Sequence, residues 1–283
     1  MGEGLADWFR GTGERRRPVR GISTTGDKPW VRDRPQGACP VPDRERDWIE
    51  RWLDWCAGQF GPPSAPLREV AGPGFVAADF TGTQLQAESL VRRVAAVMGA
   101  DVTEVSVMLV EAPEGPPPTK RHQVGAYRRT SGGAVIELDR GVAARRDTFA
   151  ALVAHELAHA RLIGERRIGN RDFAEREEER LTDLVTVFLG MGVLTANAAD
   201  DYVKATGYSV APLGELTDWM LTGRRDQPPH RLGYLGPGEF GYALACWSVL
   251  RGDPRPPPWA RHLAASVRQA FTQGLAHRAA RRD

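Results

Sequence analysis

The sequence predicts an α+β chain with a small early sheet and a mainly helical body behind it. Short alternating apolar segments are confined to residues 102–138, helical periodicity runs from Asp147 almost to the C-terminus, and no internal repeat interrupts either. The 283 residues, 41% hydrophobic and 26% charged, exclude collagen, coiled-coil rods and wholesale disorder. Residues 1–42 read as a flexible N-terminal arm. Residues 43–283 read as one domain, with N-terminal helices and sheet at 43–140, a helix pair at 147–192 and a helical C-terminal part at 193–283.

The arm combines glycines with Arg15-Arg16-Arg17 and few apolar residues, too little surface to repay its ordering entropy. From Asp43 to Phe60, Trp48, Trp52 and Trp55 recur with Ile49 and Leu53 at helical spacing, until Gly61-Pro62-Pro63 stops the chain. Thr83 caps a second helix running to Met98 and Gly99, with Leu85, Leu90, Val91, Val94 and Val97 on its buried side. Three extended segments follow at Val102–Val110, Gln123–Arg128 and Ala134–Leu138. The last two are joined as a hairpin through Ser131-Gly132-Gly133. The helices expected after them are Thr148–Ile163, Phe173–Met191, Ala196–Ala205, Leu213–Leu221, Glu239–Leu250 and Pro258–Ala279.

Composition narrows the partners. No stretch of 18 apolar residues occurs and the N-terminus lacks an export-signal pattern, so a membrane is not expected. Cys39, Cys56 and Cys246 form neither a disulfide framework nor a CxxC knuckle, which points to a reducing cytoplasm. With 38 basic and 36 acidic residues the net charge is +2, too balanced for nucleic-acid binding by bulk attraction. The oligomeric state is left open.

The chemistry lies in His155-Glu156-Leu157-Ala158-His159, an HExxH pattern. Histidines at i and i+4 rise on one helix face within reach of a single ion, and the glutamate between them sits beside the water such an ion would hold. A third ligand is needed. The glycine and third histidine of metzincins are absent from Ala160-Arg161-Leu162-Ile163-Gly164. After nineteen intervening residues beyond His159, Glu179 appears, with Asp183 at i+4 on the same helix face. Glu179 can therefore reach the metal while Asp183 accepts a hydrogen bond from a ligand histidine and fixes its tautomer. Glu175, Glu177 and Glu178 read as a solvated face with Arg176 and Arg180, and Glu178 is the fallback ligand if the register slips.

These residues resemble the gluzincin superfamily of zinc metallopeptidases, in which an HExxH helix is followed by an ExxxD helix at this thermolysin-like spacing. The chain is also similar to uncharacterised bacterial proteins that share the HELAH and LTDLxTVFLG segments and a later GY-rich helix, here His155–His159, Leu181–Gly190 and Gly241-Tyr242. That likeness covers roughly residues 124–250 and implies fold more than substrate. The resemblance implies a zincin-like domain with an active-site helix, one Zn2+ per chain held by His155, His159 and Glu179, Glu156 as general base, Asp183 behind a ligand, and a peptide or protein substrate.

On this reading peptide hydrolysis uses zinc to activate water, with Glu156 moving the proton. The oxyanion donor, commonly a Tyr or His of downstream helices in this superfamily, is sought among His230, Tyr234 and Tyr242. Ala134–Leu138 resembles the edge strand along which such enzymes lay a peptide. Two rivals stand beside it. Two histidines and a carboxylate also form the facial triad of Fe(II) oxygenases that modify peptides, and a zinc-stabilised regulatory module needs no catalysis. Cys39, in the arm, is a candidate inhibitory thiolate on zinc; Cys56 and Cys246 read as buried small hydrophobes.

Overall fold

Helix α1 (Asp43–Phe60) forms where the tryptophan stripe predicts it, burying Trp48, Ile49, Trp52, Leu53 and Cys56. The structure, a computed structural model, describes residues 37–63, 70–111, 125–169, 174–205, 234–253 and 256–281. The expected helix Leu213–Leu221 and nearly all of the arm lie outside these residues. Along α1 the rings of Trp52 and Trp55 meet edge to face at 5.3 Å and those of Trp55 and Phe60 at 6.3 Å.

Helix α2 (Gln84–Met98) opens on a capping box: Thr83 Oγ1 accepts from Gln86 N–H, and Gln86 Oε1 accepts from Thr83 N–H. It ends at Gly99 in the left-handed region. Leu90, Val91 and Val94 are buried as expected, but Leu85 is 76% exposed. It precedes Val94 by nine positions, which at 3.6 residues per turn is the opposite side of the helix.

The sheet has strands β1 (Val105–Val110), β2 (Gly125–Thr130) and β3 (Gly133–Asp139) in the order β1-β3-β2. β2 and β3 form the expected antiparallel hairpin, with Tyr127 opposite Ile136, while β1 pairs parallel to β3. This corrects the expectation for Ala134–Leu138. Among the described residues β3 is the central strand, its backbone groups consumed on both sides, and β2 is the edge strand beside α3. The outer edge of β1 is closed by a side chain: Gln84 Nε2 donates to Val107 O at 2.7 Å and Gln84 Oε1 accepts from Leu109 N–H at 3.4 Å. An amide here occupies the place of a further strand.

Helix α3 (Arg146–His159) runs through the middle of the fold, touching α2, β2, β3 and the next two helices, α4 (Glu175–Phe188) and α5 (Gly192–Ala205). It is buried on nearly every side, and Ala150, Ala151, Ala154 and Ala158 let its neighbours approach closely. Helices α6 (Pro237–Arg251) and α7 (Ala265–Ala280) pack against each other behind α5 and α1. The single helix expected over Pro258–Ala279 is divided, with a short 3-10 turn at Pro258–His262 ahead of α7. Asn197 of α5 holds the bend, donating to His262 O at 2.9 Å and accepting from Ala264 N–H at 2.8 Å. Among the described residues no helix is long and apolar enough to cross a membrane.

Gln84→Ala is expected to lower the unfolding free energy by about 1 kcal/mol and to speed amide exchange at Leu109. Unchanged exchange at Leu109, followed by hydrogen–deuterium exchange, would show that the edge is not closed by this amide.

Candidate metal centre

α4 positions the third candidate ligand because its apolar side, Leu181, Leu184, Val185, Val187 and Phe188, is fully buried in the core. That packing turns Glu179 towards α3. The rings of His155 and His159 stand 5.0 Å apart between centroids. Glu179 Oε2 lies 3.0 Å from His155 Nε2 and 3.5 Å from His159 Nε2. One donor atom from each of the three lies within 4.8 Å of the others. Two imidazole nitrogens and a carboxylate oxygen converging in this way form a donor set that fits a divalent transition ion.

A second layer fixes the rings. Asp183 Oδ1 lies 3.0 Å from His155 Nδ1, and the Asp183 side chain is only 3% exposed. An ionised carboxylate only accepts, so Nδ1 carries the proton and Nε2 is left to face Glu179. His159 is held differently. Thr182 Oγ1, which donates to Glu178 O at 3.0 Å, lies 3.4 Å from His159 Nδ1 and can accept from it. Glu178 reaches the same Nδ1 at 3.7 Å, on the side of the ring away from the converging donors. The sequence reading missed Thr182; its only signal was its place between Glu179 and Asp183 on the inward side of α4.

Electrostatics follow the burial. Desolvation opposes a charged His155 ring, yet the hydrogen bonds to Asp183 and Glu179 win, so its pKa rises well above the ordinary value. Desolvation likewise pushes Glu179 up, and its hydrogen bonds and charge interactions with both histidines overcome this and hold it well below the usual carboxylate range. Glu156 is 4% exposed, and burial raises its pKa against the pull of the two histidines.

Strand β2 covers Glu156, a contact the sequence did not reveal. The Tyr127 N–H donates to its carboxyl group. A Cβ on Gly125 would lie 2.5 Å from Glu156 Oε1 and 2.7 Å from Leu152 Cδ1, so only glycine fits there. Directly after His159 the helix widens into a π-turn over Ala160–Gly164, with Glu165 N–H donating to Ala160 O. The Tyr127 hydroxyl rests on Gly164, where an added Cβ would sit 2.5 Å from it.

The oxyanion candidates separate. Tyr234 lies beside the centre, since its N–H and that of Leu235 both donate to Asp183 Oδ2. Tyr242 does not belong to the group: it is fully buried, its hydroxyl donates to Glu50 Oε1 at 2.5 Å, and its ring faces His277 at 6.2 Å. The apolar packing of α6 against α1 and α7 takes this tyrosine away from α3. His230 lies outside the described residues. The expectation that Cys39 could reach the metal is also corrected. It is half-buried, hydrogen-bonded to Val41 and Tyr242, and burial pushes its thiol pKa up. Cys56 and Cys246 are buried, as expected.

Two outcomes are expected. Gly125→Ala should destabilise the protein by roughly 1–3 kcal/mol through overpacking against Glu156; thermal unfolding checks this, and an unchanged melting temperature contradicts the contact. The second concerns pH. Because the folded pKa of His155 is raised, its contribution to metal-free stability is complete below about 6.5 and is lost as pH climbs through the raised value. A bound cation competes with that same proton, so its affinity grows over this range. The melting-temperature difference between metal-loaded and chelator-stripped protein should therefore widen from pH 6.5 to 8.5, and a constant or shrinking difference would contradict it. No family model, curated protein sequence or solved structure matches this chain, and the reading of the centre rests on its own geometry.

Proposed function

We propose that the chain is a zinc-dependent metallopeptidase of the gluzincin type, acting on a peptide or protein substrate in the cytoplasm. The observation that carries this is the convergence of His155 Nε2, His159 Nε2 and Glu179 Oε2, with Asp183 set behind His155. Zinc, when bound there, supplies a Lewis acid that polarises a carbonyl and eases deprotonation of water. Glu156, one residue along from a ligand and buried, is placed to accept the proton of the attacking water and pass it to the leaving amine. Burial raises its pKa, which favours proton uptake from the attacking water. Tyr234 is the described candidate for a donor to the oxyanion. β2, the outer strand among the described residues, runs beside Glu156 and is the strand along which an extended peptide would lie.

One observation favours a second reading. Glu156 is covered by Gly125 and Tyr127, as in a module that keeps zinc for stability without turnover.

Elemental analysis of protein purified without added metal, followed by a peptide-library digest, tests both. One equivalent of zinc is expected in the parent and in Glu156→Gln, and none in His155→Ala or Glu179→Ala. Glu156→Gln should lose about 10²–10⁴-fold in hydrolysis. Iron in the parent would instead identify an oxidative enzyme, and zinc with no cleavage by the parent would favour the structural module. A parent free of metal overturns the proposal.

A further inference from the structure

Asp183 is used on both of its oxygens. Oδ1 faces His155 Nδ1 at 3.0 Å. Oδ2 accepts the N–H groups of Tyr234 and of Leu235, the latter at 2.9 Å. The turn that donates these bonds leads into α6 and has a second hold on α4: Arg180 Nη2 donates to Glu239 Oε1 at 2.7 Å, and Glu239 Oε2 accepts from Gly236 N–H at 2.7 Å. We infer that Asp183 is a positioning residue that ties the turn at Tyr234–Gly236 to the ligand His155, and that this turn dictates which chemical face Asp183 can show the histidine. The inference rests on the metal-centre reading above.

Two backbone N–H groups point at Oδ2 and neither can do anything but donate, so that position must hold an acceptor. Opposite it, His155 needs an acceptor at Oδ1 to keep the proton on Nδ1 and leave Nε2 free as a ligand. A carboxylate satisfies both sides; a side-chain amide cannot. In Asp183→Asn the amide oxygen is held at Oδ2 by the two N–H groups, and its NH2 is thereby turned onto His155 Nδ1. The ring must then accept at Nδ1 and carry its proton on Nε2, where it cannot bind a cation. In Asp183→Ala nothing imposes a tautomer, and Nε2 remains available. The conservative substitution is thus the more damaging one for the metal, and the reverse holds for the turn, whose two N–H groups keep their acceptor in Asp183→Asn and lose it in Asp183→Ala.

The test is zinc affinity by chelator competition together with amide exchange at residues 234–235, on the full chain. Asp183→Ala should bind zinc roughly 10-fold more weakly than the parent, and Asp183→Asn about 100-fold or more. Amide exchange at 234–235 should stay slow in Asp183→Asn and accelerate in Asp183→Ala, which the Arg180–Glu239–Gly236 contacts keep folded. Zinc binding by Asp183→Asn equal to or tighter than that by Asp183→Ala overturns the inference, as does unchanged exchange in Asp183→Ala. A parent that takes up no zinc overturns the metal-centre reading and the inference with it, a result distinct from a wrong order of the two variants.

Discussion

Burying two imidazoles against a carboxylate between α3 and α4 is a constraint that few packings satisfy. Polar groups taken out of water must find partners, and here the partners are one another. Without a cation, the short contact between His155 Nε2 and Glu179 Oε2 needs a proton, which is why the histidine pKa is driven up and the carboxylate pKa down. Once that proton leaves, the same two atoms form a donor pair that fits a cation. Around them the fold supplies only fixed geometry: Asp183 and Thr182 behind the rings, β2 over Glu156, and an apolar side of α4 that cannot rotate without exposing Leu184 and Phe188.

The central place of α3 explains its composition. A helix surrounded by α2, α4, α5 and two strands has no solvent face to give to charge, and its alanines allow these neighbours to come close. The π-turn after His159 then turns the chain away beside Tyr127, with a glycine where the ring lies. Widening at that point is one way to end a buried helix without stranding its carbonyls, and turns of this kind recur next to functional residues.

Much of this was legible in the sequence wherever spacing along one element carries the information. α1 and α2 begin and end where the tryptophan stripe, the Thr83 cap and Gly99 place them, and the i, i+4 pairs His155/His159 and Glu179/Asp183 lie on shared helix faces. What the sequence did not disclose depends on pairing between elements. The period of Ala134–Leu138 is the same whether the strand is central or at an edge, so β2 could not be recognised as the strand over Glu156. Thr182 reads as an ordinary helix threonine until His159 is set beside it. Tyr242 and Tyr234 carry the same chemistry, and only the packing of α6 on α1 and α7 separates them. Leu85 shows the complementary limit: an apolar side chain in an amphipathic helix can still fall on the wet side.

The polar cluster around Glu50 has a different consequence. This carboxylate of α1 accepts from Tyr242 and pairs with Arg278 and Arg281 of α7, while His277 donates to the carbonyl of Gly37 at 2.8 Å. The first and last described turns of the chain therefore touch. α1 in turn braces α4, with the Arg180 guanidinium 4.3 Å above the Trp48 ring, so a thread of contacts runs from the far end of α7 to the residue following Glu179. Gly37 and the last turn of α7 are therefore adjacent in the described fold, although 240 positions separate Gly37 from His277. Linking residue 37 to residue 281 and opening the backbone at an exposed loop elsewhere would leave every described contact of the centre in place, because linear order and spatial order are separable in such an arrangement.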